Sequence, residues 1–153
     1  MENKIYPCLW FDGKAKEAAE FYSSVFSNSV ITSENSFVVT LEISGQKFML
    51  LNGGPQFSTN PSISFFVVCE TEKEIDRYWK SLLEGGSELM PLDKYDWSQK
   101  YGWLKDRFGI SWQIIPAILE KLMNDPKKAP KVVDAFLQMK KFDIEKLVQA
   151  YEG

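Results

Sequence analysis

The chain repeats itself, and that repeat limits the fold more than any other feature. Residues 7–26, PCLWFDGKAKEAAEFYSSVF, run alongside residues 64–83, SFFVVCETEKEIDRYWKSLL, at an offset of 57 (64 minus 7). Each copy opens with an apolar run suited to a buried strand and then switches to a helical period. In the first copy Ala15, Ala18, Ala19, Tyr22, Val25 and Phe26 mark one helix face. In the second, Ile75, Tyr78, Trp79, Leu82 and Leu83 do the same. Thr71, with Glu74 three residues on, has the spacing of a capping box, and Gly85 is placed to close the helix.

Three strand-like stretches follow each helix. SVITSE, SFVVTLEIS and KFMLLN follow the first, with a turn expected at Gly45 and Gln46. SELMPL, YGWLKD and SWQIIP follow the second, with a turn around Phe108 and Gly109. Residues 37–52 match 101–116 at an offset of 64 (101 minus 37), so the second half carries seven more residues (64 minus 57). The loop PLDKYDWSQK is the simplest place for them. The expected fold is α+β: one domain over 1–153, with βαβββ modules at 4–54 and 61–116 paired into a cupped mixed sheet. A ferredoxin-like sandwich would leave three strands after each helix unexplained. Residues 117–153 read as a C-terminal helical extension, broken at Pro126 and capped at Asp143. Its apolar face at Val132, Val133, Phe136 and Leu137 needs cover, and a homodimer is expected.

Composition narrows the function. With 153 residues, 44% hydrophobic and 25% charged, the chain has enough apolar side chains for a core of its own. A net charge of −3 supplies no field for a phosphate backbone, so nucleic acid is not an expected partner. No stretch approaches the ~18 apolar residues of a membrane span, and MENKIYPCLW has no apolar h-region. No membrane partner is expected, and the cytoplasm is the expected setting. There is no histidine, which removes the usual general base and the usual metal ligand. Cys8 and Cys69 lack metal or redox spacing and a histidine partner, and read as small hydrophobes. The charges Asp93, Asp96, Asp106 and Arg107 read as solvated loop positions, while Trp97 and Tyr101 are placed to cover a site from the inserted loop.

Three stretches together, WFDGKAKEAAEFYSSVF, LNGGP and WLKDRFGISWQIIP, resemble the PhnB-like family. It is also described as the 3-demethylubiquinone-9 3-methyltransferase domain family, within the vicinal-oxygen-chelate superfamily of glyoxalases and bleomycin-resistance proteins. The tail DPKKAPKVVDAFLQMKKFDIEKL also resembles the family's C-terminal extension. Methyl transfer does not fit the residues: an S-adenosylmethionine site needs a Gly-rich turn from strand to helix, and neither Gly53 and Gly54 nor Gly85 and Gly86 stand in one.

The superfamily's metal-dependent members hold a divalent cation with a first-strand histidine and a last-strand glutamate from each half. Carried over by position, these fall on Pro7, Met49, Ser64 and Gln113. A proline, a thioether, a hydroxyl and an amide make no site for a dication, so no metal and no cofactor are expected. Strand alternation then sets Leu9, Phe11, Leu51, Phe66, Val68 and Ile115 on the same face, with Trp10, Phe65 and Trp112 turned toward the helices. The expected ligand pocket is therefore Pro7, Leu9, Phe11, Met49, Leu51, Ser64, Phe66, Trp103, Gln113 and Ile115, with Ser64 and Gln113 as polar anchors. The resemblance implies a binding module for a small organic molecule, similar to the superfamily's antibiotic-sequestering members. A metal-independent enzyme of the same superfamily is the alternative.

Overall fold

The computed structural model describes residues 3–94, 100–118, 121, 124–127 and 129–130. The chain divides into two compact units, Met1–Asn60 and Pro61–Gly153. The first contains β1 (Cys8–Phe11), α1 (Ala15–Val25), β2 (Ser29–Glu34), β3 (Val38–Ile43) and β4 (Gln46–Asn52). The second contains β5 (Ser64–Cys69), α2 (Glu72–Leu83), β6 (Ser87–Lys94), β7 (Lys100–Lys105) and β8 (Ser111–Pro116). Their sheets run in equivalent orders, β1-β4-β3-β2 and β5-β8-β7-β6. In each, the first strand lies parallel to the last and the remaining pairs are antiparallel. This is the α+β, twice-repeated βαβββ arrangement that the repeat implied. No helix among the described residues is long and apolar enough to cross a membrane.

Each helix covers one face of its own sheet. Ala15, Ala18, Ala19 and Tyr22 of α1 are buried, with Val39, Leu41, Phe48 and Leu50 of the sheet beneath. In the second unit Ile75, Trp79 and Leu82 of α2 are buried with Leu104, Trp112 and Ile114. The Thr71 cap forms as expected, its Oγ1 accepting the Glu74 N–H at 3.2 Å. No side chain caps α1 from its own N-cap residue, Lys14; instead Asn52 at the end of β4 accepts the Ala15 N–H at 2.9 Å. Gly102 in β7 lies directly under Trp79, whose ring stands 2.3 Å from the place a Cβ would occupy. Lys100 ties the start of β7 to α2 through Asp76 at 2.7 Å and Glu72 at 3.2 Å, and these contacts raise its pKa.

Strand register places the seven extra residues. The pairs Thr40 with Met49 and Trp103 with Gln113 align β3 to β7 at 63 (103 minus 40), one less than the 64 of β4 to β8. One extra residue therefore sits in the turn between β7 and β8. The other six lie between the start of β6 and β7, around the inserted loop, whose residues 95–99 lie outside the described part. The turn joining β3 and β4 uses Ser44 and Gly45, both at positive φ (49° and 82°), one residue earlier than expected. A two-residue turn of this kind matches the twist of the flanking strands. The expected C-terminal face of Val132, Val133, Phe136 and Leu137 also lies outside the described residues.

The close approach of Trp79 to Gly102 gives the first expected outcome. Gly102→Ala forces the indole or the strand aside and costs about 1–3 kcal/mol of overpacking. A urea melt showing an unchanged midpoint would contradict this packing.

Candidate functional site on the second sheet

The face of the second sheet away from α2 brings together most of the side chains picked out in that half. In the β5–β8 ladder Ser64 pairs with Ser111, Phe66 with Gln113, and Val68 with Ile115; across β7, Trp103 pairs with Gln113. Paired residues share a face, so Ser64, Phe66, Val68, Trp103, Gln113 and Ile115 lie together, and the register settles the side of Trp103. Tyr101, two residues before Trp103, lies on the same face. Its hydroxyl donates to Gln113 Oε1 at 2.7 Å, and Gln113 Nε2 donates to Ser64 Oγ at 2.8 Å. The two polar anchors expected from the sequence are thus in contact, joined by a third group assigned only as loop cover. Tyr101 is instead wholly buried in the strand itself.

Around this row the face is apolar and partly open. Phe66 is 47% exposed and Val68 39%, unusual for large apolar side chains in adjacent strand positions, while Ile115 is fully buried. The Trp103 indole Nε1 and the Ser111 hydroxyl are buried without hydrogen-bond partners. On the helix side, as the alternation predicted, Phe65 and Trp112 pack with rings tilted by 47° at a centroid distance of 5.4 Å.

Asp106 departs from the expectation of a solvated charge. It is 2% exposed; Oδ1 accepts from the N–H groups of Phe108 and Ile110, and Oδ2 accepts from Trp112 Nε1 at 2.9 Å. The carboxylate thereby organises the one-residue-longer turn and fixes the core indole. Trp97 and Asp96 lie outside the described residues.

The first unit differs from expectation in the side its residues face. Cys8 pairs with Met49 and Trp10 with Leu51, whereas Leu9 pairs with Leu50 and Phe11 with Asn52. Leu9 and Phe11 therefore lie on the α1 side, at 9% and 4% exposure, and not with Met49 and Leu51. Trp10, expected toward the helix, stands on the other face. There its Nε1 donates to Gly54 O at 2.8 Å, its ring fills the space against Gly53, and Phe57 packs edge-on at 5.0 Å.

The cause is a single residue. The helices align at 57 (Ala18 to Ile75, Tyr22 to Trp79), but the strand register aligns Cys8 with Phe66, at 58. The connection from β1 to α1 spans residues 12–14, against residues 70–71 in the second unit, and Gly13 takes it through a φ of 75°. A slip of one residue transfers every side chain of a strand to the opposite face. By register, Ser64 corresponds to Tyr6, whose ring lies 4.2 Å from Lys47 Nζ, while Pro7 serves through its carbonyl, which accepts the Met49 N–H at 3.0 Å.

These residues do not fit a divalent cation. Gln113 Oε1 already accepts from Tyr101, and Ser64 Oγ from Gln113. Both are neutral, and Met49 adds only a thioether. No group of three or more His, Cys, Asp or Glu side chains placed to hold a metal occurs among the described residues.

The cysteines fit no nucleophile. Cys8 is exposed, whereas Cys69 is 1% exposed and its thiol is pushed up to about 12, first by burial and then by Glu74. The folded state thus favours the thiol form: this contribution is full below pH 9 and is lost as pH rises towards 12. At pH 8 a disulfide reagent should modify Cys8 rapidly and Cys69 only after denaturation; two fast equivalents in the folded protein would contradict the burial.

The Tyr101 hydroxyl yields a double-mutant outcome. Gln113→Leu removes the acceptor 2.7 Å from that buried hydroxyl and costs about 1–3 kcal/mol in chemical denaturation. Tyr101→Phe added to Gln113→Leu recovers most of that loss, because both partners are then apolar. An unchanged midpoint in Gln113→Leu would show that the row carries no stability.

Comparison with known proteins places this geometry. The family model described as 3-demethylubiquinone-9 3-methyltransferase matches residues 3–115. That match ends before the tail that had been read as a family extension. No curated protein matches the chain. Among solved structures, a PhnB protein from Bacillus cereus is similar at 39% identity and TM-score 0.68, covering 75% of this chain and 100% of its own. A glyoxalase-related enzyme from Fulvimarina pelagi has TM-score 0.53 at 15% identity, over 74% of this chain and 88% of its own. A glyoxalase/bleomycin resistance protein/dioxygenase from Alicyclobacillus acidocaldarius has TM-score 0.53 at 14% identity, over 80% and 99%. The last two share the fold alone. With two βαβββ units and a family match over most of its length, the chain belongs to the PhnB-like family described as 3-demethylubiquinone-9 3-methyltransferase, on the glyoxalase/bleomycin-resistance fold.

Proposed function

We propose that this chain is a cytoplasmic, homodimeric module that binds a small organic molecule without a divalent metal. The observation that carries the reading is the neutral row of Tyr101, Gln113 and Ser64, set among the accessible apolar side chains Phe66 and Val68. A few convergent polar groups on an apolar surface are what a small-molecule site requires. A metal site requires charge, which this row lacks. The row also argues against acid–base catalysis, since its members are an amide, an aliphatic hydroxyl and a phenol buried away from any substrate.

Methyl transfer, named in the family's description, finds no support in these residues. The connections from strand to helix, residues 12–14 and 70–71, hold one glycine between them, and both sheets are mixed rather than doubly wound. Each sheet ends on strands that pair on one side only, β1 and β2 or β5 and β6, and dimerisation is one way to cover such edges.

Elemental analysis of protein purified without chelator should give well under one metal ion per chain, and EDTA should leave the melting temperature unchanged. A neutral-compound library should contain ligands that raise the melting temperature. One tightly held ion per chain, bound through Gln113 or Ser64, would contradict the metal-free reading. In light scattering the predicted mass is that of two chains; a single-chain mass across micromolar concentrations would contradict the dimer.

A further inference from the structure

The hydrogen bonds on the second sheet have a direction. Tyr101 is wholly buried, and a buried phenol must spend its proton on an acceptor. Gln113 Oε1 stands 2.7 Å away, while the thioether of Met90, at 4.0 Å, is a poor rival. The amide is thereby turned with its NH2 toward Ser64, whose Oγ accepts at 2.8 Å. The Ser64 proton is left over: Ser64 donates no hydrogen bond among the described residues, and the Ser111 hydroxyl paired beside it makes none to it. Ser64 is half-buried and neighbours Phe66 on the same face. Trp103, paired across from Gln113, carries a second donor without an acceptor. What this face leaves unspent is the Ser64 and Trp103 donors and the buried Ser111 hydroxyl, beside an apolar surface, with Ser64 the one of these that is half-buried at Phe66. Lys105 lies on the same face at its end, exposed and paired with Ser111.

We propose that the Ser64 hydroxyl is a dedicated donor to a neutral carbonyl oxygen, and that the ligand is an apolar or aromatic ketone, amide or similar carbonyl compound laid on Phe66 and Val68. Tyr101 is a positioning residue: it touches no ligand and acts by fixing which way Gln113 points. A carboxylate is disfavoured because the side chains next to Ser64 (Gln113, Ser111 and Phe66) are neutral and the nearest cation on the face, Lys105, lies two strands away, so its lost hydration would go uncompensated. The proposal rests on the small-molecule reading and adds the chemical class of ligand.

The test uses three fragments of similar size, acetophenone, ethylbenzene and benzoate, titrated to millimolar levels and followed by the amide resonances of residues 64–68 and 111–115. In the wild type acetophenone should bind about five-fold tighter than ethylbenzene, the worth of one net hydrogen bond. That preference should vanish in Ser64→Ala, survive in Ser64→Thr, and vanish in Tyr101→Phe, where the freed amide turns and accepts the Ser64 proton. Equal binding of acetophenone and ethylbenzene would overturn the donor assignment and leave the small-molecule reading standing. Tightest binding by benzoate, lost in Lys105→Gln, would overturn the neutral class. A preference kept in Tyr101→Phe would overturn the directional role of Tyr101. No response to any fragment in these strands would overturn the small-molecule reading itself. Tyr101→Phe is first checked for native amide dispersion; if it does not fold, the Ser64→Ala and Ser64→Thr pair decides the donor assignment.

Discussion

The side-chain amide of Gln113 holds the helix-free face of the second sheet in one arrangement. It satisfies a phenol that is fully buried and a hydroxyl that is not, at 2.7 and 2.8 Å. Losing the first takes the 2.7 Å acceptor from a buried phenol, whereas the half-buried Ser64 can turn to water when it loses the second. The strands around it are fixed from elsewhere: Asp106 ties the turn to Trp112 on the opposite face, and Trp79 presses on Gly102. The row is thus supported from behind by a packed core, the condition under which a neutral polar group can act as a precise anchor.

The first unit shares the topology and not the chemistry. Where the second sheet has Gln113 facing Phe66 and Trp103, the first has Met49 facing Cys8 and Thr40. Where the second has Ser64 beside Ser111, the first has Tyr6 stacked under Lys47. The indole of Trp10, held by Gly54 and flanked by Phe57, dominates the rest of that surface. Two copies of one architecture thus carry a polar row in one case and an aromatic plug in the other. Fold equivalence does not carry a ligand set with it.

Much of the architecture was legible in the residues, because an apolar run gives way to a helical period in each repeat and Thr71 caps where its spacing requires. The helix faces followed from that pattern, whereas Ser64 and Gln113 were singled out only through the family resemblance. The side assigned to Leu9, Phe11 and Trp10 did not, since aligning the helices hides one additional residue between β1 and α1. Helices tolerate such an insertion in the loop before them, whereas in a strand it inverts every side chain. Tyr101 was missed as a row member because strand β7 starts directly after the inserted loop, where the sequence shows no period. Asp106 was missed for a related reason: a turn aspartate reads as solvated until the backbone N–H groups and the indole it accepts from are brought round it. Its place three residues before Gly109 in the run from Asp106 to Trp112 was the available signal, and Gly109 indeed takes a φ of 90°.

The central claim is that Ser64 and Gln113, the second-unit positions onto which the family resemblance carries cation ligands, lie with Tyr101 in a neutral hydrogen-bond row that offers a dication no ligand set. Titration with Mn2+ examines that directly, because the bound ion broadens nearby amide signals selectively. The account predicts that the Gln113 side-chain NH2 and the backbone amides of Ser64 and Phe66 keep their intensity at one equivalent of Mn2+, apart from the uniform loss caused by free ion. Selective loss of those three signals at one equivalent would contradict it.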